Sequence, residues 1–211
     1  MKDAWCQSLG TERKSRSLYS YHELIAAFVA AMEARDRCTA SHSKRVSDMS
    51  EQICRILGLD EEETIMIHIA ADLHDIGKIG ISDRVLMGTG LLSDEERYQI
   101  MHHLLIGYEI LRKVSSFQDV ALIVRHHHER WDGYGYPDNI WGEFIPLGSR
   151  IIAIADSIDA MMSDRAYRNK LSAEKCRQEI IKNMGSMYDP DIAKAVLNNW
   201  FLILSARIGL L

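Results

Sequence analysis

Apolar side chains return at three- and four-residue steps along nearly all of this 211-residue chain, a period that confines it to helices. Leu24, Ile25, Phe28, Val29 and Met32 mark one such face across residues 21–35. A second helix is expected from near Ser41, carrying Val46, Met49, Ile53 and Leu57 and stopping at Gly58. Asp60 with Glu63, and Ser93 with Glu96, have the spacing of capping pairs. They predict one helix running into "ADLHDIGKIG" and another through "YQIMHHLLIGYEIL". Residues 118–128 read as a buried helix ending in histidines, and "RIIAIADSIDAMM" as the next. Two more are expected, after Ser172 and after Asp189-Pro190. Only the stretch 130–147, rich in glycine, proline and aromatics, has to be loop and short turns. No strand pair is convincing, so the expected fold class is all-α.

A hydrophobic content of 47% and a charged content of 26% suit a chain that buries one core. The net charge of -5 lacks the basic footprint of a protein that binds a DNA or RNA duplex. An anionic ligand would therefore need a local cationic site. Cys6, Cys38, Cys54 and Cys176 are scattered, with no C-x-x-C pair, as structural thiols in a reducing compartment would be. The N-terminus lacks the apolar run of a signal peptide, so a cytoplasmic location is expected. The C-terminal "WFLILSARIGLL" is too short to span a bilayer and carries Arg207. It is expected to pack on the core or on a partner, either a second copy of the chain or a signalling protein.

The nine histidines separate by their neighbours. His22 and His68 stand singly in helical patterns and read as ordinary imidazoles. His42, His74, His103, His127 and His128 keep company with small residues, glycines and carboxylates, and so do Asp75 and Asp156. A buried aspartate beside a histidine at a helix end is costly unless something cationic neutralises it. A metal ion does so directly, and mixed imidazole and carboxylate donors suit Fe, Mn, Zn or Ni better than Mg or Ca.

"TASHSKRV", "ADLHDIGKIGI", "HHLLIGYEIL", "HHERWDGYGYP", "RIIAIADSIDAMMSDRAYR" and "MYDP" follow one another from about residue 21 to about residue 200. In content and order they resemble the motifs of the HD-GYP family, the HD phosphohydrolases that hydrolyse bacterial cyclic dinucleotides. The resemblance implies an HD-domain helical bundle with a GYP loop and additional C-terminal helices. It divides the chain into a tail at 1–20, the HD-GYP domain at 21–200 and an apolar extension at 201–211. No receiver or sensory domain, which often accompanies the family, is visible in these residues.

The resemblance also implies the site. His42, His74, Asp75 and Asp156 match the ligands of one metal. His103, His127 and His128, with Asp75 shared, match those of a second. How His127 and His128 divide their bonds is open, since neighbours on a helix point about 100° apart and a distorted helix end would be needed. Two divalent ions are expected, iron or manganese first, with Zn, Ni or Co as alternatives. Cys38 stands where certain family members have a glutamate for a third metal, which favours a binuclear site. "MGTG" at 87–90 departs from the usual Asn-Lys-Pro-Gly.

The implied reaction is in-line attack by hydroxide, activated between the metals, on a phosphodiester of cyclic di-GMP. The product would be linear pGpG, with further hydrolysis to GMP left open. Asp75 and Lys78 are the expected catalytic residues, and Lys78, Tyr136, Arg165 and Arg168 the expected substrate contacts. The alternatives are another cyclic dinucleotide as substrate, or a non-catalytic module that binds a nucleotide or a partner protein. Glu129 and Arg130 are expected to pair across the loop, and Asp159 and Asp164 to support the ligands.

Overall fold

The computed structural model describes residues 22–35, 41–88, 90–91, 93–164 and 169–210. Helices α1 (His22–Arg35), α2 (His42–Leu57) and α3 (Glu61–Asp72) come first. A 3-10 turn, Ile76–Gly80, and a short α4 (Asp83–Leu86) lead to α5 (Asp94–Met101) and α6 (His103–Leu111). The chain continues through α7 (Gln118–His126), the GYP loop, α8 (Leu147–Met162), α9 (Ala173–Asn183), α10 (Pro190–Asn198) and α11 (Trp200–Arg207). No strand occurs among the described residues beyond one isolated bridge between Met184 and Tyr188. The chain is all-α, as its periodicity requires.

Helix α2 is the central member, packed against α3, α8 and α11. Val46, Met49 and Ile53, three and four residues apart, put one of its faces wholly out of solvent. That face meets Ile67 of α3, Ile151, Ile154 and Ile158 of α8, and Ile203 of α11 within one hydrophobic core. Burying each such side chain contributes roughly 1.5–3 kcal/mol. The expected caps form: Asp60 accepts from the Glu63 amide at 2.9 Å, and Ser93 and Glu96 make a reciprocal capping box. Cys54 and Cys176 are buried thiols, pushed up by burial to about 12 and about 11. They are inert at neutral pH.

Two expectations need correction. Helix α1 does not bury its whole apolar face: Ile25 is inside, but Leu24 and Phe28 are more than half exposed. Leu24 and Ile25 are adjacent and point about 100° apart, so a helix docked along a narrow strip cannot bury both. The helix expected to run unbroken from Ser93 through "YQIMHHLLIGYEIL" breaks at His102 into α5 and α6. There the backbone tightens, with the His102 amide donating to the Gln99 carbonyl at 3.1 Å. The His103 ring also takes the carbonyl of Ile100 at 2.7 Å, which a continuous helix would offer to the amide of Leu104.

Candidate metal centre

Three histidines reach the centre by one local device. His74 follows the end of α3, His103 the break after α5, and His127 the end of α7. Each donates its Nδ1 hydrogen to the carbonyl three residues back: His74 to Ala71, His103 to Ile100 and His127 to Val124, all at 2.7 Å. A helix end leaves such carbonyls without an intrahelical partner, and the imidazoles satisfy them. A carbonyl only accepts, so in the neutral ring Nδ1 must carry the hydrogen and Nε2 is left with its lone pair. Nε2 of His103 and Nε2 of His127 are buried and have no hydrogen-bond partner. Buried acceptors in that state are costly, and a cation is the partner that fits them.

The donor atoms fall into two adjoining clusters. Those of His103, His127 and His128 lie within 4.8 Å of one another, and so do those of His42, His74 and Asp75. Asp75 joins the two: Oδ2 is 3.4 Å from His74 Nε2 and Oδ1 is 3.6 Å from His103 Nε2. Asp156, projecting from α8, stands with Oδ1 3.3 Å from His42 Nε2. All seven expected ligand residues are thus brought together. Helix α7 ends at His126, so His127 and His128 escape the helical fan. Their rings lie 4.3 Å apart by centroid, tilted by 42°.

The protonation pattern is polarised. Burial pushes the imidazoles of His103, His127 and His128 down, the last to about 4, and like neighbours reinforce it. These rings are neutral and ready to ligate. Burial opposes charging of His42 too, but its bonds to Asp156 and Asp159 prevail and raise it to about 10. A proton there occupies the place a metal would take. Burial disfavours the charge on Asp75, yet Lys78, His74 and His103 hold its carboxyl well below the usual carboxylate range.

Lys78 reaches the cluster by a close approach of backbones. An added Cβ at Gly77 would stand 1.8 Å from the carbonyl oxygen of His103, so only glycine lets the 3-10 turn lie on α6. Lys78 Nζ is 2.7 Å from Asp75 Oδ2. Tyr136 of the GYP loop sits over His128 with ring centroids 5.1 Å apart. Burial, then the nearby Asp156 and Asp75, push its phenol up to about 12. Gly135 is needed for a similar reason to Gly77, since a Cβ would come 2.3 Å from the Arg130 amide nitrogen.

Other expectations resolve residue by residue. Arg165, Arg168 and Cys38 lie outside the described residues, as do residues 1–20 and Thr89 of "MGTG". Asp159 accepts from His42 Nδ1 at 2.8 Å, whereas Asp164 accepts from the Lys170 amide and takes no part in that contact. Glu129 and Arg130 do not pair: Glu129 accepts from the Asp138 amide at 2.6 Å, and Arg130 pairs with Asp132 at 2.6 Å. His126, next to the cluster, bonds Asp138 at 2.9 Å, and His68 pairs with Glu51 and Asp72. Sequence reasoning missed Arg45 and Arg207, which both reach Asp159. No spacing rule links residues 45, 159 and 207.

An all-α bundle that gathers two groups of candidate metal donors about one aspartate is the arrangement of an HD-type domain. Residues 27–192 match the model of the HD domain family, and the chain belongs to that family. It is 42% identical to a cyclic di-GMP phosphodiesterase of Thermotoga maritima, over 83% of this chain and 48% of that protein. It is 36% identical to the 3'3'-cGAMP-specific phosphodiesterase 2 of Vibrio cholerae, over 89% of this chain and 36% of that protein. The chain spans less than half the length of these curated relatives. Among solved structures, a cyclic GMP-AMP-specific phosphodiesterase of V. cholerae shares the fold. It matches with a TM-score of 0.69 at 21% identity, over 87% of this chain and 50% of that one. No helix among the described residues is long and apolar enough to cross a membrane.

Proposed function

We propose that this chain is a metal-dependent phosphodiesterase that opens cyclic di-GMP to linear pGpG and continues to GMP. The observation that carries this reading is Asp75, set between His74 and His103 with one oxygen toward each. His42, His74, Asp75 and Asp156 would hold one divalent ion; His103, His127 and His128, sharing Asp75, would hold the second. The unpartnered Nε2 atoms of His103 and His127 support that fit. Iron or manganese suits a donor set this rich in imidazole, with Zn, Ni or Co as alternatives. When bound, such ions supply a lowered pKa for water and positive charge against phosphate oxygens.

The chain's own residues supply position and protons. Backbone carbonyls hold His74, His103 and His127 in one tautomer before anything binds, so no reorientation is needed on ligation. Lys78, now on Asp75, lies where it can turn its ammonium to a phosphate oxygen once that carboxylate is shared with metal. Tyr136 keeps its hydrogen at neutral pH and presents a donor beside His128.

The test is anaerobic, reduced protein loaded with Fe(II) or Mn(II) and assayed in parallel on cyclic di-GMP and 3'3'-cyclic GMP-AMP. Production of pGpG or GMP, lost on Asp75→Asn, supports the reading. Preference for the mixed dinucleotide changes the substrate and leaves the reaction. No turnover of either, with nucleotide still bound, rejects the enzyme in favour of a binding module.

A further inference from the structure

Helix α11 carries a charged side chain into the far side of the metal centre. Asp159, on α8, is buried, with 1% of its surface exposed, and no metal-ligand role is assigned to it. Its Oδ2 accepts from His42 Nδ1 at 2.8 Å, from Arg45 Nη2 at 2.9 Å and from Ser163 Oγ at 3.3 Å. Its Oδ1 takes Arg45 Nε at 2.6 Å and stands 2.9 Å from Arg207 Nε. The Arg207 contact is an ion pair rather than an aligned hydrogen bond. Arg207 Nη2 also donates to Ser163 Oγ at 2.9 Å, and the side chain is only 13% exposed.

One carboxylate thus faces two guanidinium groups and an imidazole. Two guanidinium groups beside one carboxyl favour its ionised form, which accepts at both oxygens. A carboxylate in that state accepts from His42 Nδ1 and leaves His42 Nε2 for the metal side, where Asp156 already lies at 3.3 Å. Arg45 alone satisfies the carboxylate in a fork but comes from α2, the same helix that carries His42. Arg207 is the independent tether: it comes from a different helix and locks Asp159 and Ser163 together at the end of α8. The inward face of α11 places it there, with Ile203 fully buried in the core one turn earlier.

We infer that Arg207 is a positioning residue for His42, acting through Asp159, so that the C-terminal helix is a working part of the metal centre. The inference rests on the metal-binding reading of His42 given above. Partners one contact beyond a ligand commonly alter metal affinity about 10–100-fold. Arg207 is one contact further out, so the low end of that range is expected.

The experiment is Mn(II) titration of the full chain, without substrate, alongside the proton NMR signal of the His42 Nδ1 hydrogen in metal-free protein. Arg207→Gln and Arg207→Ala should weaken one of the two Mn(II) sites about tenfold. They should leave the other site unchanged and lose the protected His42 signal to exchange. Arg207→Lys, which keeps the charge, should restore both readouts to near wild type and carries the test should the other variants fail to fold. Ile203→Val loosens the same helix and should alter neither. An unchanged isotherm and an unchanged His42 signal in Arg207→Gln overturn the inference, as does an equal loss in Ile203→Val. Wild-type protein that protects the His42 hydrogen but takes up no Mn(II) overturns the metal reading instead, leaving the clamp on Asp159 standing.

Discussion

Lys78 and Asp75 form an ion pair, with Nζ 2.7 Å from Oδ2, across one turn of the "HDIGK" segment. The same carboxylate lies beside His74 and His103, so the ammonium would compete with the proposed metal for it. Replacing Lys78 by Met removes the competitor while keeping an unbranched apolar stem. Mn(II) affinity is expected to stay level or rise, while turnover of cyclic di-GMP falls about 100-fold through loss of a phosphate contact. A metal titration beside an activity assay reads both. Parallel loss of metal and activity would instead make Lys78 a structural support of Asp75.

Gly77 is the packing constraint that lets the "HDIGK" turn lie against α6 beside His103. A methyl there would meet the His103 carbonyl at 1.8 Å and the Gly107 amide nitrogen at 2.6 Å, both backbone atoms that cannot swing aside. Gly77→Ala should therefore cost roughly 1–3 kcal/mol as an overpacking change. It should also displace His103 from the cluster. Thermal unfolding checks the first expectation and metal stoichiometry the second. Wild-type stability would mean that the turn can shift away from α6 without penalty.

How much of this was legible beforehand depends on distance along the chain. Val46, Met49 and Ile53 announce the buried face of α2, and Asp60 and Ser93 announce two helix starts, because period and capping act within a few residues. The seven candidate ligands stand out by their small and acidic neighbours, but only the motif pattern divides them between two metal positions. The periodicity itself ran a single helix through His102 and His103, since it does not weigh a ring that competes for the Ile100 carbonyl. Glu129 and Arg130 are opposite charges side by side in sequence, yet the loop's fold sends one to Asp138 and the other to Asp132. Arg207 lies 44 positions from Ser163, a contact that only the tertiary packing of α11 creates.

Tyr136 offers a clean separation of ring from hydroxyl. Its ring leans on His128 at 33°, and that contact survives Tyr136→Phe. The hydroxyl is the atom proposed to meet substrate, so the variant should fold and bind Mn(II) as wild type does. KM for cyclic di-GMP should rise about tenfold, as expected for one lost hydrogen bond of roughly 1.4 kcal/mol. Steady-state kinetics on metal-loaded protein checks this. An unchanged KM would remove Tyr136 from the substrate contacts.

The two clusters should answer pH in opposite ways. His42, raised to about 10, contributes stability to the metal-free chain that is fully present below about 6.5 and lost as pH rises through 10. His128, lowered to about 4, contributes stability that is present above about 6.5 and lost as pH falls through 4. As far as these groups govern it, metal-free stability should peak near pH 6.5, with chemical unfolding across pH as the measure. Metal uptake extends the argument, because a ligand must shed its proton before it binds. Filling the site that holds His42 should release about one proton, with affinity rising about tenfold for each pH unit up to 10. Filling the site of His103, His127 and His128 should release none at pH 7 and above. Calorimetric Mn(II) titrations in two buffers of different ionisation enthalpy count the protons at each step. Equal proton release at both steps would mean that the bonds of His42 to Asp156 and Asp159 do not hold a proton against the metal.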